Sequence, residues 1–310
     1  MKNRLILAIV VVMGGWSAHA QQDAMFTHYM YNTMAINPAY AGSRDALTIT
    51  SLNRFQWVGF KGAPMTQNIN MHTPLWQNRL GVGVSVMNDK IGPSNKTSIE
   101  LNFAYRMKLN AKTRLAFGLK GGLNMLNASL NDVKTTDGND QAFTQGINSK
   151  MLPNFGVGLL LQHDNYYIGA SIPKLLENDF TRNITSGGTN FISEQRHYFF
   201  IAGVAWKLNR QLMFKPSTLV KVVTGAPAQI DLTANFVIDE VLTIGGMYRS
   251  TDALGVLVGV NVKPQFYIGY SFDFSTGNRT FNYNNGSHEL MLRYDFIFSR
   301  TGKIKSPRYF

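Results

Sequence analysis

The stretch "TSIELNFAYRMKL", residues 97–109, decides how the rest of the chain is read. Ile99, Leu101, Phe103, Tyr105 and Met107 alternate with Ser98, Glu100, Asn102, Ala104 and Arg106. A period of two is that of a β-strand, whose successive side chains point to opposite faces. The wide face here is apolar and aromatic, whereas the other is small or polar. A soluble half-buried strand would put Lys and Glu on its outer face. A strand with lipid outside and protein or water inside shows the pattern seen here.

The same alternation recurs. "HELMLRYDFIF", 288–298, sets Leu290, Leu292, Tyr294, Phe296 and Phe298 against Glu289, Met291, Arg293, Asp295 and Ile297. "LGVGVSVMND", 80–89, sets Leu80, Val82, Val84 and Val86 against Gly81, Gly83 and Ser85, so the inward face is crowded. About 14 such segments lie near 45–55, 65–73, 79–88, 97–109, 113–125, 154–163, 165–173, 196–207, 211–222, 227–237, 240–249, 253–262, 265–275 and 287–299. Many run about ten residues, the length of a tilted membrane-crossing strand. Pro216 weakens the ninth and leaves the count open by two.

Links after even-numbered strands are short, such as "NAK" (110–112), "HD" (163–164) and "DE" (239–240). Links after odd-numbered strands are often long: 126–153, 174–195 and 276–286. Sorting by parity predicts an even-stranded, all-β, antiparallel outer-membrane barrel with short periplasmic turns, long outer loops and both mature termini in the periplasm. Aromatics near strand ends (Trp57, Trp76, Tyr166, Tyr167, Trp206, Tyr248, Phe272, Phe274) suit interfacial girdles.

The N-terminus reads as a leader. Lys2 and Arg4 precede the apolar run Leu5 to Met13, and Ala18-His19-Ala20 is a small-x-small cleavage pattern, predicting a cut before Gln21. The run is short of the roughly 20 apolar residues that an anchor needs. The expected organisation is a signal peptide at 1–20, an N-terminal plug or periplasmic segment at 21–43, the barrel at 44–299 and a basic periplasmic tail at 300–310.

The formal charge is +12, but only 15% of residues are charged. For an exported chain this favours acidic headgroups or an acidic protein over nucleic acid. With no Cys, disulfides, thiol catalysis and Cys-based metal sites are excluded. The six His stand singly, without HExxH spacing, and no GxSxG occurs. The glycines of "GVGVSVMND" and "GVGLLLQHD" lie within strands that no helix follows, so they do not form a phosphate loop. No catalytic residue, metal site or cofactor is expected.

Three sets of residues remain as candidates. "FTHYMYNTMAINPAYAGS", 26–43, is apolar, aperiodic and interrupted by Pro38. Phe26, Tyr29, Tyr31, Asn37, Pro38 and Tyr40 suit an irregular plug starting at the periplasmic mouth, where surrounding protein tolerates irregular backbone; a periplasmic docking element is the alternative. Inward charges of mixed sign, Glu100, Arg106, Lys120, Lys215, Lys221, Asp231, Asp273, Glu289, Arg293 and Asp295, suit a mutually paired lumen network more than a selective channel lining. In "SIPKLLENDF", 171–180, Ile172, Leu175, Leu176 and Phe180 could form one face of a short helix, either packed into the barrel mouth or offered to a partner. Arg308, Tyr309 and Phe310 end the tail with residue types common at binding hot spots.

The segments "YNTMAINPAYAGS", "LNRFQWVGFKGAPMTQNINMHTPL", "LGVGVSVMNDKIGP", "PNFGVGLLL", "YYIGASIPKLLEN" and "KSPRYF" together resemble the PorP/SprF family of outer-membrane proteins. The resemblance implies a non-enzymatic barrel of the type IX secretion and gliding machinery. It also implies partners: the periplasmic ring lipoprotein and its partner, or the C-terminal sorting domain of a secreted adhesin. The alternative is a passive or selective pore of the fatty-acid-transporter type.

Overall fold

The computed structural model describes residues 23–129, 147–178, 194–250, 253–276 and 284–296, with residues 147–150 described as backbone. Fourteen strands follow one another: β1 (Leu47–Phe55), β2 (Met65–Leu75), β3 (Leu80–Ile91), β4 (Ser94–Lys108), β5 (Thr113–Ala128), β6 (Ile147–His163) and β7 (Tyr166–Ile172). After them come β8 (His197–Val204, resuming at Trp206–Lys207), β9 (Leu212–Val223), β10 (Gln229–Ile238), β11 (Leu242–Arg249), β12 (Ala253–Lys263), β13 (Phe266–Ser275) and β14 (Ser287–Phe296). Each pairs antiparallel with its neighbours in sequence, and β1 pairs with β14 from Leu47↔Phe296 to Phe55↔His288. The sheet therefore closes on itself, and no strand edge is left to aggregate.

The alternation in β4 becomes a two-sided wall. Ile99, Leu101, Phe103, Tyr105 and Met107 are each 40–55% exposed on the outside, whereas Ser98, Glu100, Asn102, Ala104 and Arg106 are buried inside. Trp76, Trp206, Tyr248 and Phe274 are exposed as girdle residues should be, but Tyr167 is 4% exposed and faces inward. Tyr167 follows Tyr166 directly, so a period of two allows only one of them to face out.

Pro216 does not interrupt β9. It pairs with Ala234 of β10, and the ladder to β8 breaks beside it: Ser217 pairs with Gly203, and pairing resumes at Phe214↔Trp206. The missing proline N–H thus falls in a gap. The links are also shorter than expected. β5 runs to Ala128 and β6 starts at Ile147, with Pro153 inside the ladder opposite Leu123. β3 and β4 meet across Gly92 and Pro93 alone. Above the apolar band side chains become polar and lose their period, but backbone pairing continues, to Ile91↔Ser94 between β3 and β4 and to Ala128↔Ile147 between β5 and β6.

No helix forms over 172–180 as far as that stretch is described, through residue 178. Leu175 N–H instead donates to Phe155 O (2.8 Å), and the Asn154 side chain bonds both Leu176 N–H and Leu176 O (3.1 and 2.9 Å). These contacts fold the link back over β6.

Candidate functional site: the filled lumen

Of residues 26–43, all but Ala35 are buried. Two single 3-10 turns, Thr33–Ala35 and Pro38–Tyr40, shape the segment. Asn37 caps the second by accepting a hydrogen bond from Ala39 N–H (3.0 Å), and Pro38 sits at its first position, where a missing N–H costs nothing.

The segment touches the wall all around. Tyr29 O–H lies 3.2 Å from Ser217 Oγ and 3.3 Å from Thr233 Oγ1, on β9 and β10. Asn32 exchanges side-chain hydrogen bonds with Asn68 and Asn70 of β2. Asn37 Nδ2 donates to Leu159 O of β6 (3.0 Å), and Ser171 Oγ of β7 donates to Ile36 O (2.8 Å). Tyr31 packs on Tyr267 of β13 at 5.3 Å, with the Arg293 guanidinium 5.0 Å from the Tyr267 ring. Tyr40 meets His72 edge-on at 5.6 Å, and Phe26 is 4% exposed. The inward glycines make room: a Cβ on Gly158 would stand 2.1 Å from Asn37 Oδ1, and Pro38 lies against Gly118.

The direction of travel differs from the expectation. Asp23 meets Lys174, just beyond the end of β7, at 2.5 Å, and His197, at the start of β8, at 3.6 Å. Arg44 meets Asp295, near the end of β14, at 2.8 Å. The described chain therefore starts at the mouth that carries the long links and crosses the lumen to the mouth where β1 begins. It does not start beside β1. Ion pairs at both ends, which no periodicity could reveal, set this course.

The inward charges are all buried, but they sort into separate groups. Lys120 pairs with Glu100 (2.8 Å), and Asp231 with Arg249 (2.9 Å). Arg54 bridges Asp273 (2.7 Å) and Glu289 (3.2 Å), and Glu289 also accepts from Thr27 N–H, His28 N–H and the His28 ring. Asp295 lies between Arg44 and Arg293, the latter at 3.7 Å. Arg106 has a backbone partner, donating to Gly42 O. Several of these charges thus hold the N-terminal segment, not one another.

The fifth group stands at the long-link mouth. Lys96 pairs with Glu194, and Glu194 also accepts from Asn124 (2.8 Å), Asn154 (3.0 Å) and Asn178 (3.1 Å). Burial pushes the Asp23 carboxyl up, but Lys174, His197 and Lys96 outweigh it and hold it well below the usual carboxylate range. Burial likewise lowers Lys174, but Asp23 and Glu194 raise it further.

Arg54 and Arg249 share the inward parity of Thr50 and Met247, so alternation could have found them. Asp23, Arg44, Lys174 and Glu194 lie outside the strands, where no pattern marks them. Leu175 is half-buried, and Leu176 is exposed. Phe180, Arg308, Tyr309 and Phe310, with the signal peptide and basic tail, lie outside the described residues. Among the described residues no group of three His, Asp or Glu is placed to hold a metal ion.

A closed fourteen-stranded barrel, apolar outside and small or polar inside, defines a β-barrel of the outer-membrane type. Residues 18–294 match the family described as "Type IX secretion system membrane protein PorP/SprF", and the chain belongs to that family. No curated protein sequence matches it. Among solved structures, the Pseudomonas putida toluene transporter TodX is similar in fold, with a TM-score of 0.48 at 9% identity over 86% of this chain and 95% of that one. A Pseudomonas aeruginosa FadL homologue gives 0.44 at 13% over 84% and 93%. The Acinetobacter baumannii outer membrane protein Omp33 gives 0.43 at 9% over 82% and 100%.

Proposed function

We propose that this barrel lies in the outer membrane, long links outward, and serves type IX secretion by holding a protein partner and not by conducting solutes. One observation supports the reading: Phe26–Ser43 is buried at all but Ala35 and is hydrogen-bonded to β2, β6, β7, β9 and β14. A pore would keep a continuous aqueous path, whereas here Tyr29, Tyr31 and Tyr40 are buried within the barrel. The segment acts as a resident plug, and the barrel acts as a platform. No catalytic step is assigned to it. Its partner is either a periplasmic ring protein of that machinery or the C-terminal sorting domain of an adhesin that it exports.

Two measurements test this. In planar bilayers the intact protein should stay closed, and a chain lacking residues 24–41 should conduct. Steady open-channel currents from the intact protein would overturn the plug. Mild detergent extraction should co-purify ring proteins or a sorting domain; recovery of neither would overturn the platform.

A further inference from the structure

The charge group at the long-link mouth is asymmetric. Lys96 belongs to β4, His197 to β8, and Lys174 and Glu194 to the link between β7 and β8. Asp23 alone comes from the lumen segment. The oxygens of Glu194 are already engaged by Lys96, Asn124, Asn154 and Asn178, and Lys174 Nζ stays 3.9 Å from them. The close partner of Lys174 is Asp23, at 2.5 Å. The Lys174 side chain is 6% exposed, and a lysine so buried without a counter-charge is strongly disfavoured. His197, also buried, donates Nδ1–H to Gln195 O (2.8 Å), and its Nε2 has no hydrogen-bond partner. Without Asp23 the nearest carboxylate oxygen to Lys174 among the described residues would be that of Glu194, at 3.9 Å and already engaged.

We propose that Lys174, with Lys96 adding positive charge beside it, forms a carboxylate-binding site at the long-link mouth, that Asp23 occupies this site in cis, and that a carboxylate of a protein partner takes it by displacing Asp23. Asp23 is one-quarter exposed, so a competitor can reach it from that mouth. Displacement would free the end of the lumen segment while leaving its deeper anchors at Glu289 and Asn37 in place. Binding at one mouth is thereby coupled to the seating of the segment. The protein nature of the ligand rests on the platform reading; the anion site does not.

The test is chemical rescue of the full-length protein in detergent, read as the temperature at which the folded barrel loses its fast gel mobility. Asp23→Ala should unfold at a lower temperature than wild type, with the isosteric Asp23→Asn as a second variant should the first fail to fold. Sodium acetate should restore most of the loss, and sodium chloride at equal ionic strength should not. Wild type and the Asp23→Ala/Lys174→Met double variant should not respond. An Asp23 variant as stable as wild type, or an acetate effect shared by all proteins, would overturn the site. Two peptides then separate the sources: one whose sole carboxylate is its C-terminus, and one amidated at the end and bearing a single Glu. Rescue by either supports a protein ligand and assigns the group; rescue by acetate and by neither peptide overturns the protein ligand.

Discussion

A Cβ placed on Gly118 would stand 2.1 Å from the amide nitrogen of Ala39. The wall of β5 and the lumen segment therefore touch backbone to backbone, and neither can yield as a flexible side chain would. Gly118→Val should unseat the segment while the barrel persists. Gly121→Val is the matched control, because that position faces outward and its nearest neighbour would be 3.8 Å away. Limited proteolysis should cut between residues 23 and 43 in the first variant and not in the second. Equal resistance in both would refute this packing.

Glu289 is fully buried and accepts from two backbone amides, an imidazole and a guanidinium. Glu289→Leu removes all four acceptances at once and leaves Arg54 leaning on Asp273. Breaking a buried pair from one side costs about 3–5 kcal/mol. Urea titration of the refolded barrel should show a loss in that range. A change below about 0.5 kcal/mol, the scale of an ordinary surface substitution, would mean that Glu289 does not anchor the segment.

Leu119 is 63% exposed in the middle of the outward apolar row of β5. Leu119→Arg should destabilise the barrel in a bilayer by about 2–4 kcal/mol, the cost of a guanidinium near the midplane. The same substitution in micelles should cost less, because detergent rearranges around the charge. Equal stability of variant and wild type in liposomes would place this face out of lipid.

The Asp23–Lys174 contact sets a pH window. The Asp23 carboxyl is depressed, so its contribution is complete above the ordinary Asp value of about 3.9 and is lost as pH falls through the folded value. The Lys174 amine is raised, so its contribution is complete below the ordinary Lys value of about 10.4 and is lost as pH rises through the folded value. His197, 3.6 Å from Asp23, is of a type that titrates at about 6.5, so the comparison belongs on the acid side of the window. The advantage of wild type over Asp23→Asn in unfolding temperature should shrink as pH falls below about 4. An advantage that persists unchanged into stronger acid would show that the pair is not coupled as described.

Alternation along the chain specifies the wall. In β4 and β14 the alternation of residues such as Phe103 and Asn102, or Leu290 and Glu289, separates the lipid side from the lumen side, because a strand has no other way to dispose its side chains. Short links after even strands announced the antiparallel order, and the glycines of β3 announced a crowded interior. Strand ends were less legible. Pro153 falls in the expected link 126–153 and Pro216 weakens the ninth expected strand, yet both lie within ladders, because a barrel can leave one hydrogen bond unmade where a neighbouring strand pauses. Tertiary structure alone decided the course of residues 23–44 and the partners of the buried charges. An aperiodic segment carries no record of which mouth it starts from. That choice follows from Asp23 meeting Lys174 some 150 residues away and Arg44 meeting Asp295 some 250 away, contacts that exist once the barrel has closed and brought distant strands around one lumen.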